Sequence, residues 1–178
     1  FGLRRVILAG VVAAAAGVVV IGLGVDVAAS RGVLMLLAFA TFLSFMTIGR
    51  IVGTGLLDRY GRVPVLRISF ALAVAGALLV IFGGAALAFV GAAIWGVGAA
   101  LGFPVGMSAS ADDPARAAAR MSVVATIGYA AFIAGPSLLG FLGDHVGVLR
   151  SLLVVGAGAI LALLVVTSVR ELEAGTDP

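Results

Sequence analysis

Few side chains in this sequence could take part in acid–base, nucleophilic or metal chemistry. The 178 residues include eight acids, 11 arginines, no lysine, no cysteine and one histidine, His145. Without cysteine there is no thiolate for catalysis, metal binding or a disulfide, and a single histidine does not make a metal site. A phosphate-binding glycine loop with its lysine and a catalytic-triad pattern are both missing. We therefore expect no enzyme activity, no metal and no cofactor.

One short segment, residues 53–62 (GTGLLDRYGR), combines an acid, two bases and three glycines. Asp58 ends a long apolar run, where its charge opposes both the helix dipole and a basic membrane face, so it should have a partner. A second charged segment contains Asp112 and Asp113. We expect Arg59 and Arg62 to pair with Asp112 or Asp113.

Arg50 is an ionisable residue inside a long apolar run, eight residues before Asp58. At about 1.5 Å of rise per helical residue, Arg50 lies roughly 12 Å deeper in a membrane than Asp58. An ionisable group at that depth is a candidate to bind an anionic substrate or to pair with an acid of another helix. Equally, its long side chain could simply extend to the interface.

The composition indicates that membrane-spanning helices position these residues. The chain is 63% hydrophobic and 11% charged, whereas soluble domains are about half apolar and about a quarter charged. A transmembrane helix needs ~20 apolar residues. Six such segments, bounded by charges, prolines or glycines, cover about residues 6–25, 33–57, 65–82, 86–107, 121–142 and 149–169. The predicted fold is an all-α membrane protein with six transmembrane helices and a polar tail, residues 171–178.

The arginines predict the orientation. With the N-terminus in the cytoplasm, eight arginines lie in cytoplasmic segments and two, Arg31 and Arg150, lie outside. This bias is typical of membrane proteins, so we expect a multi-pass protein of the plasma (bacterial inner) membrane with both termini cytoplasmic. The pI of about 10.6 does not indicate a nucleic-acid partner, because the arginines are scattered at span ends.

Several residues within the predicted spans could shape a helix or line a path. Proline lacks an amide donor and bends a helix, which predicts kinks at Pro104 and at Gly135-Pro136. The side chains considered for a translocation path, besides Arg50, are Trp95, Thr126 and Tyr129. Hydroxyl groups can instead bond to the carbonyl of the preceding turn, and Trp95 can equally serve packing.

Residues 53–62 resemble the cytoplasmic loop motif of the major facilitator superfamily, a glycine, three residues and then Asp-Arg-x-Gly-Arg. In that family the motif joins the second and third helices of each six-helix half, as it does here for the predicted spans. Thr54 stands in place of the first glycine, between Gly53 and Gly55. Residues 134–140 (AGPSLLG) are similar to the Gly-Pro motif of facilitator antiporters, with Ala131 in place of a further glycine.

The resemblance implies the C-terminal six-helix half of a twelve-helix transporter, built from 3+3 inverted repeats, with the substrate path between the halves. It implies alternating-access transport of a small solute whose identity the sequence does not give. Asp58 would then contact a helix N-terminus of the opposite half. The implied cytoplasmic gate consists of Asp58, Arg59, Gly61, Arg62, Asp112 and Asp113, although these charges could instead only set topology.

Two alternatives to this reading remain. The chain could form a six-helix protein that works as a homodimer, or a membrane scaffold or receptor that transports nothing. Because the sequence begins at Phe1 rather than methionine, we expect a fragment whose N-terminal half is missing. The expected partners are the lipid bilayer, a small-molecule substrate, and either that missing half or a second copy.

Overall fold

The computed structural model describes residues 27–169, together with Leu8, Val12 and Ala16, which are helical. Residues 27–169 form helices joined by short connections, with no strand in this part of the chain. The helices are α1 (Val27–Tyr60), α2 (Arg62–Phe82), α3 (Gly84–Ala99), α4 (Gly102–Ser110), α5 (Ala117–Val146), α6 (Val148–Ser151) and α7 (Leu153–Val165), followed by a 3₁₀ turn, Val166–Val169.

Five stretches are long and apolar enough to cross a membrane. They are Gly32–Tyr60, Arg62–Phe82, Gly84–Ser110, Ala117–Val146 and Val148–Val165. Their positions match the second to sixth predicted spans, so the expectation of an all-helical chain with several membrane-length helices is confirmed for the described residues. The first predicted span, residues 6–25, lies outside these residues apart from the three helical positions. The six-helix count and the inverted repeats stay predictions.

Glycines allow α3 to pack closely against α1 and α2. A Cβ atom added to Gly76 of α2 would lie 2.7 Å from the Gly91 carbonyl oxygen and 2.7 Å from the Trp95 Cα. On the α1 side, a Cβ added to Gly49 would lie 2.9 Å from the Ala100 Cβ. Both contacts are too short for a larger residue, so small side chains set the spacing of these helices, as is usual in membrane bundles.

A buried apolar cluster lies at the end of the bundle where α1 leads into α2, which we call the motif end. Its members come from α2, the α3–α4 junction, α4 and the 3₁₀ turn; they are Val65, Leu66, Ala100, Leu101, Val105 and Val166. Met46, Leu57 and Phe70 pack against this cluster. The charged motif therefore rests on a packed base that joins several helices.

The fourth predicted span is interrupted at Ala100–Leu101, between α3 and α4. Pro104 lacks an amide hydrogen, and a proline ring crowds the carbonyl group four residues earlier, here that of Ala100. The break therefore falls where Pro104 prevents regular helix hydrogen bonding. By contrast, α5 continues through Pro136, and a bend at Gly135-Pro136 without interruption stays a prediction.

Helix α5 is the least packed of the long helices. None of its residues is buried, and its main contacts are with α4 and the short α6. On one side, a Cβ added to Gly128 would touch the Phe103 ring of α4 at 2.7 Å. The opposite side of α5 has no covering helix within residues 27–169.

The predicted orientation can be tested with two single cysteines in an otherwise cysteine-free chain. Ala115 lies in the connection between α4 and α5, and Ala85 is the second residue of α3 at the opposite end of the bundle; both are exposed. We expect Ala115→Cys to react only with thiol reagents that reach the cytoplasmic side, and Ala85→Cys with an impermeant reagent added outside. Ser110 is a poorer reporter because it is only 8% exposed. Labelling of both cysteines from the same side would contradict the topology.

Candidate functional site: a charged cavity and two polar helix faces

Gly61 is the single residue between α1 and α2, and its backbone explains the glycine of the motif. It has φ 78° and ψ 170°, a region that is essentially restricted to glycine. Its amide donates to the Leu57 carbonyl at 2.9 Å. This turn directs α2 back along α1 and places Asp58 and Arg62 at the same end of the bundle.

Arg62 forms an ion pair with Asp112 and donates a longer hydrogen bond to the Ser108 hydroxyl at 3.5 Å. The two charged side chains are only 19% and 21% exposed. Since Arg62 begins α2 and Asp112 follows α4, this pair ties two helices of the same bundle together. The pairing that the sequence predicted for Arg62 is confirmed.

The corresponding expectation for Arg59 is wrong. The Arg59 guanidinium lies 5.3 Å from the centre of the Tyr60 ring and makes no ion pair within residues 27–169. Asp113 pairs instead with Arg120 at 3.6 Å and accepts a hydrogen bond from the Ala115 amide at 3.1 Å. Asp113 lies in the short connection between α4 and α5, and Arg120 lies in the first turn of α5, so their proximity follows from the chain. Arg59, by contrast, lies on an exposed side of α1.

A cavity of about 600 Å³ opens at the motif end, between α1, the start of α2, and α4. Its polar lining comes from three helix segments and consists of Arg50, Thr54, Asp58, Arg62 and Ser108. Leu101, Pro104 and Val105 form much of its apolar wall. The structure thus brings Arg50 to the same cavity as Asp58 and Arg62, although Arg50 lies eight positions before Asp58 in the sequence.

The α1 residues of this cavity belong to a longer polar face. Thr47, Arg50, Thr54 and Asp58 are all exposed, and spacings of three and four residues keep them on one side of a helix. The other side of α1 packs against α3 and the α3–α4 junction through Gly49 and Gly53. We call the exposed side the α1 polar face.

The structure shows why residue 54 can be a threonine where the resemblance to the facilitator motif would place a glycine. Thr54 lies on the α1 polar face, while a Cβ added to its neighbour Gly53 would approach the Leu101 side chain to 2.6 Å. Gly49 and Gly53, four residues apart, therefore provide the close helix approach, and position 54 is free to be polar. Sequence reasoning named Gly53 as a neighbour of Thr54 but missed Gly49 and the packing role of the pair, although their Gly-x-x-x-Gly spacing is a known packing signal.

A second polar face runs along α5. Ser122, Thr126, Tyr129 and Ser137 are exposed and share one side of the helix by their spacing. We call this the α5 polar face; it lies away from Gly128, which contacts α4. The Thr126 hydroxyl donates to the Ser122 carbonyl at 2.7 Å, but Tyr129 is 69% exposed with no hydrogen-bond partner in the described part of the chain.

Trp95 does not join either polar face. Its ring meets the Phe42 ring edge-on at 5.7 Å and lines a separate apolar cavity of about 310 Å³ between α1 and α3. Its surroundings are those of a packing residue.

Ser122 and Ser137 of the α5 polar face were missed by sequence reasoning, and their helical spacing to Tyr129 was the signal that could have found them.

Comparisons with protein-family models, with curated proteins and with solved structures found no match for this chain. The likeness to the facilitator loop motif is therefore carried by residues 53–62 themselves and by their place between two membrane-length helices.

Proposed function

We propose that this chain is one half of a membrane transporter that moves a small solute by alternating access. The observation that carries the proposal is that α1 and α5 each present a polar face away from the rest of the bundle. The side chains of Arg50 and Tyr129 support the proposal most strongly, because neither side chain makes a hydrogen bond or an ion pair within residues 27–169. Such side chains are costly against lipid and normally face protein or a water-filled path.

A second six-helix unit would cover both polar faces and enclose the path. It would be the other half of a longer chain or a second copy of this one, as in transporters built from repeated units. The polar faces extend along the helices rather than forming one spot, which favours a path through the membrane over a scaffold contact. The charged cavity at the end of the α1 polar face would be its cytoplasmic mouth.

The ion pairs within the bundle refine the gate expected from the sequence. Because Arg62 and Asp112 belong to the same bundle, their pair would move with it as a rigid unit when two halves rock. Asp58 lies exposed at the cavity and makes no hydrogen bond or ion pair within residues 27–169. Asp58 is therefore the side chain suited to contact a helix N-terminus of the covering half in one state and to release it in the other.

The proposal can be tested without knowing the solute, by comparing two cysteines at one depth of α5. Thr126 lies on the α5 polar face, and its neighbour Ile127, 64% exposed, lies about 100° around the helix. In the complete transporter we expect Thr126→Cys to react with a membrane-impermeant thiol reagent, and Ile127→Cys to stay unreactive.

The side from which the reagent enters separates transport from the alternatives. Alternating access predicts that Thr126→Cys reacts both in right-side-out and in inside-out membrane vesicles, because each state exposes the path to one side. A scaffold or receptor crevice would react from one side alone. That result, or equal labelling of the two cysteines, would reject the transport proposal.

A further inference from the structure

We propose that the cavity at the motif end is a binding site for a small anion, with a carboxylate or phosphate group held by Arg50. This goes beyond the proposed transport function, because the site would hold its anion whether or not the protein moves a solute. It rests on the cavity and its lining residues.

Arg50 supplies the positive charge of the site. It lines the cavity, and no acidic side chain within residues 27–169 lies within ion-pairing distance of it. Its guanidinium group presents five N–H donors in a planar arrangement that fits carboxylate and phosphate oxygens. A cation ~12 Å deeper than the helix end is expensive to leave without a counter-charge in a membrane protein, and an anion in the cavity would supply one.

The rest of the lining suits a small ligand. The volume of about 600 Å³ falls within the range of ~300–1,000 Å³ typical of small-molecule sites. Across the cavity, the Ser108 oxygen accepts from Arg62, which leaves the Ser108 hydroxyl hydrogen to donate to an anion. Thr54 contributes less, because its hydroxyl already donates to the Ile51 carbonyl at 2.9 Å.

Asp58 lines the same cavity and opposes an anion there. Two unit charges roughly 12 Å apart interact by an amount worth about a two- to tenfold change in affinity when the effective dielectric constant is ~20–80. Neutralising Asp58 should therefore strengthen anion binding, while neutralising Arg50 should weaken it. Opposite effects from two residues of one cavity distinguish an electrostatic site from general damage to the fold.

The test is isothermal titration of the purified full-length protein in a neutral detergent with inorganic phosphate and with succinate. We expect Arg50→Gln to weaken anion binding at least about tenfold, because the loss of a hydrogen bond to a charged group typically lowers affinity by about that factor or more. Arg50→Lys should retain part of the affinity, and Asp58→Asn should increase it about two- to tenfold. Arg59→Gln is the control, because Arg59 carries the same charge but lies outside the cavity on an exposed side of α1. A dielectric constant near that of water and screening by salt should limit its effect on anion affinity to less than about twofold.

A second arm identifies the source of the anion. If binding occurs only in nanodiscs that contain phosphatidylglycerol, and not in phosphatidylcholine nanodiscs with added phosphate or succinate, the ligand is a lipid headgroup. Arg50→Gln should abolish that preference too. Equal affinities in wild type and Arg50→Gln, absence of binding in both arms, or weaker binding in Asp58→Asn would overturn the proposal. If Arg50→Gln does not fold, the Asp58→Asn result decides. If the labelling test of Thr126→Cys and Ile127→Cys fails, the transport proposal is rejected, but the anion-site proposal still stands on the titration result.

Discussion

Replacement of Gly76 by alanine is expected to destabilise the bundle by about 1–3 kcal/mol, the usual cost of adding volume to a tightly packed contact. The added Cβ would lie 2.7 Å from the Gly91 carbonyl oxygen and from the Trp95 Cα. These are backbone atoms of α3, so relief requires α2 and α3 to move apart rather than a side chain to rotate. The free energy of unfolding, measured by titration with a denaturing detergent, would show the loss.

Gly55→Ala provides the matched control. Gly55 also lies within a long helix, but a Cβ added there meets nothing within 4 Å. Since alanine has the higher helix propensity, Gly55→Ala should be neutral or slightly stabilising. Equal destabilisation by the two substitutions would mean that α2 and α3 do not pack as closely as the structure shows.

Reversal of either charge of the Arg62–Asp112 pair is the second change expected to have a large effect. Arg62→Asp would bring two carboxylates together, and Asp112→Arg would bring two guanidinium groups together, in a partly buried setting. We expect each to cost about 1–3 kcal/mol of unfolding free energy. The double reversal should recover about 0.5–3 kcal/mol of the summed loss, because residues in direct contact are coupled.

Arg59→Asp is the control for this cycle. Arg59 is exposed and makes no ion pair within residues 27–169, so its reversal should change stability by no more than about 0.5 kcal/mol. Additive effects of the two reversals would show that Arg62 and Asp112 do not interact. Asp58→Asn should likewise spare stability; if Asp58 serves as a gate, the substitution should slow turnover instead, since couplings between two conformational states are typically about 1–3 kcal/mol.

Several features of the fold could be predicted from local patterns. The apolar runs predicted the positions of the five membrane-length helical stretches. A helix that crosses lipid must satisfy its own backbone hydrogen bonds, and it needs an apolar segment about as long as the membrane is thick. The break before α4 could be anticipated from Pro104, because a proline disrupts the hydrogen bonding of the helical turn that precedes it. The Arg62–Asp112 pair could be anticipated because both residues sit at helix ends on the same predicted side of the membrane.

Other features could not be predicted, because they depend on which face of a helix meets a neighbour. The sequence alone did not distinguish Arg59 from Arg62 as the partner of the aspartates, since both are bases of one short segment. It also left Trp95 undecided between packing and path. The structure places Trp95 against Phe42 and leaves Tyr129 exposed, and no local pattern encodes that difference.

By itself, the sequence of this protein determined the class of structure, the approximate positions of five long apolar helices and the end of the bundle where the charges gather. Hydrophobic length and charge distribution are properties of consecutive residues, so they are readable along the chain. Only the tertiary structure decided that Arg50, Asp58 and Arg62 share one cavity, and that Gly49 and Gly53, rather than position 54, bring α1 against α3. Those outcomes depend on the rotation of each helix about its axis, which the packing of small residues against neighbouring backbones fixes.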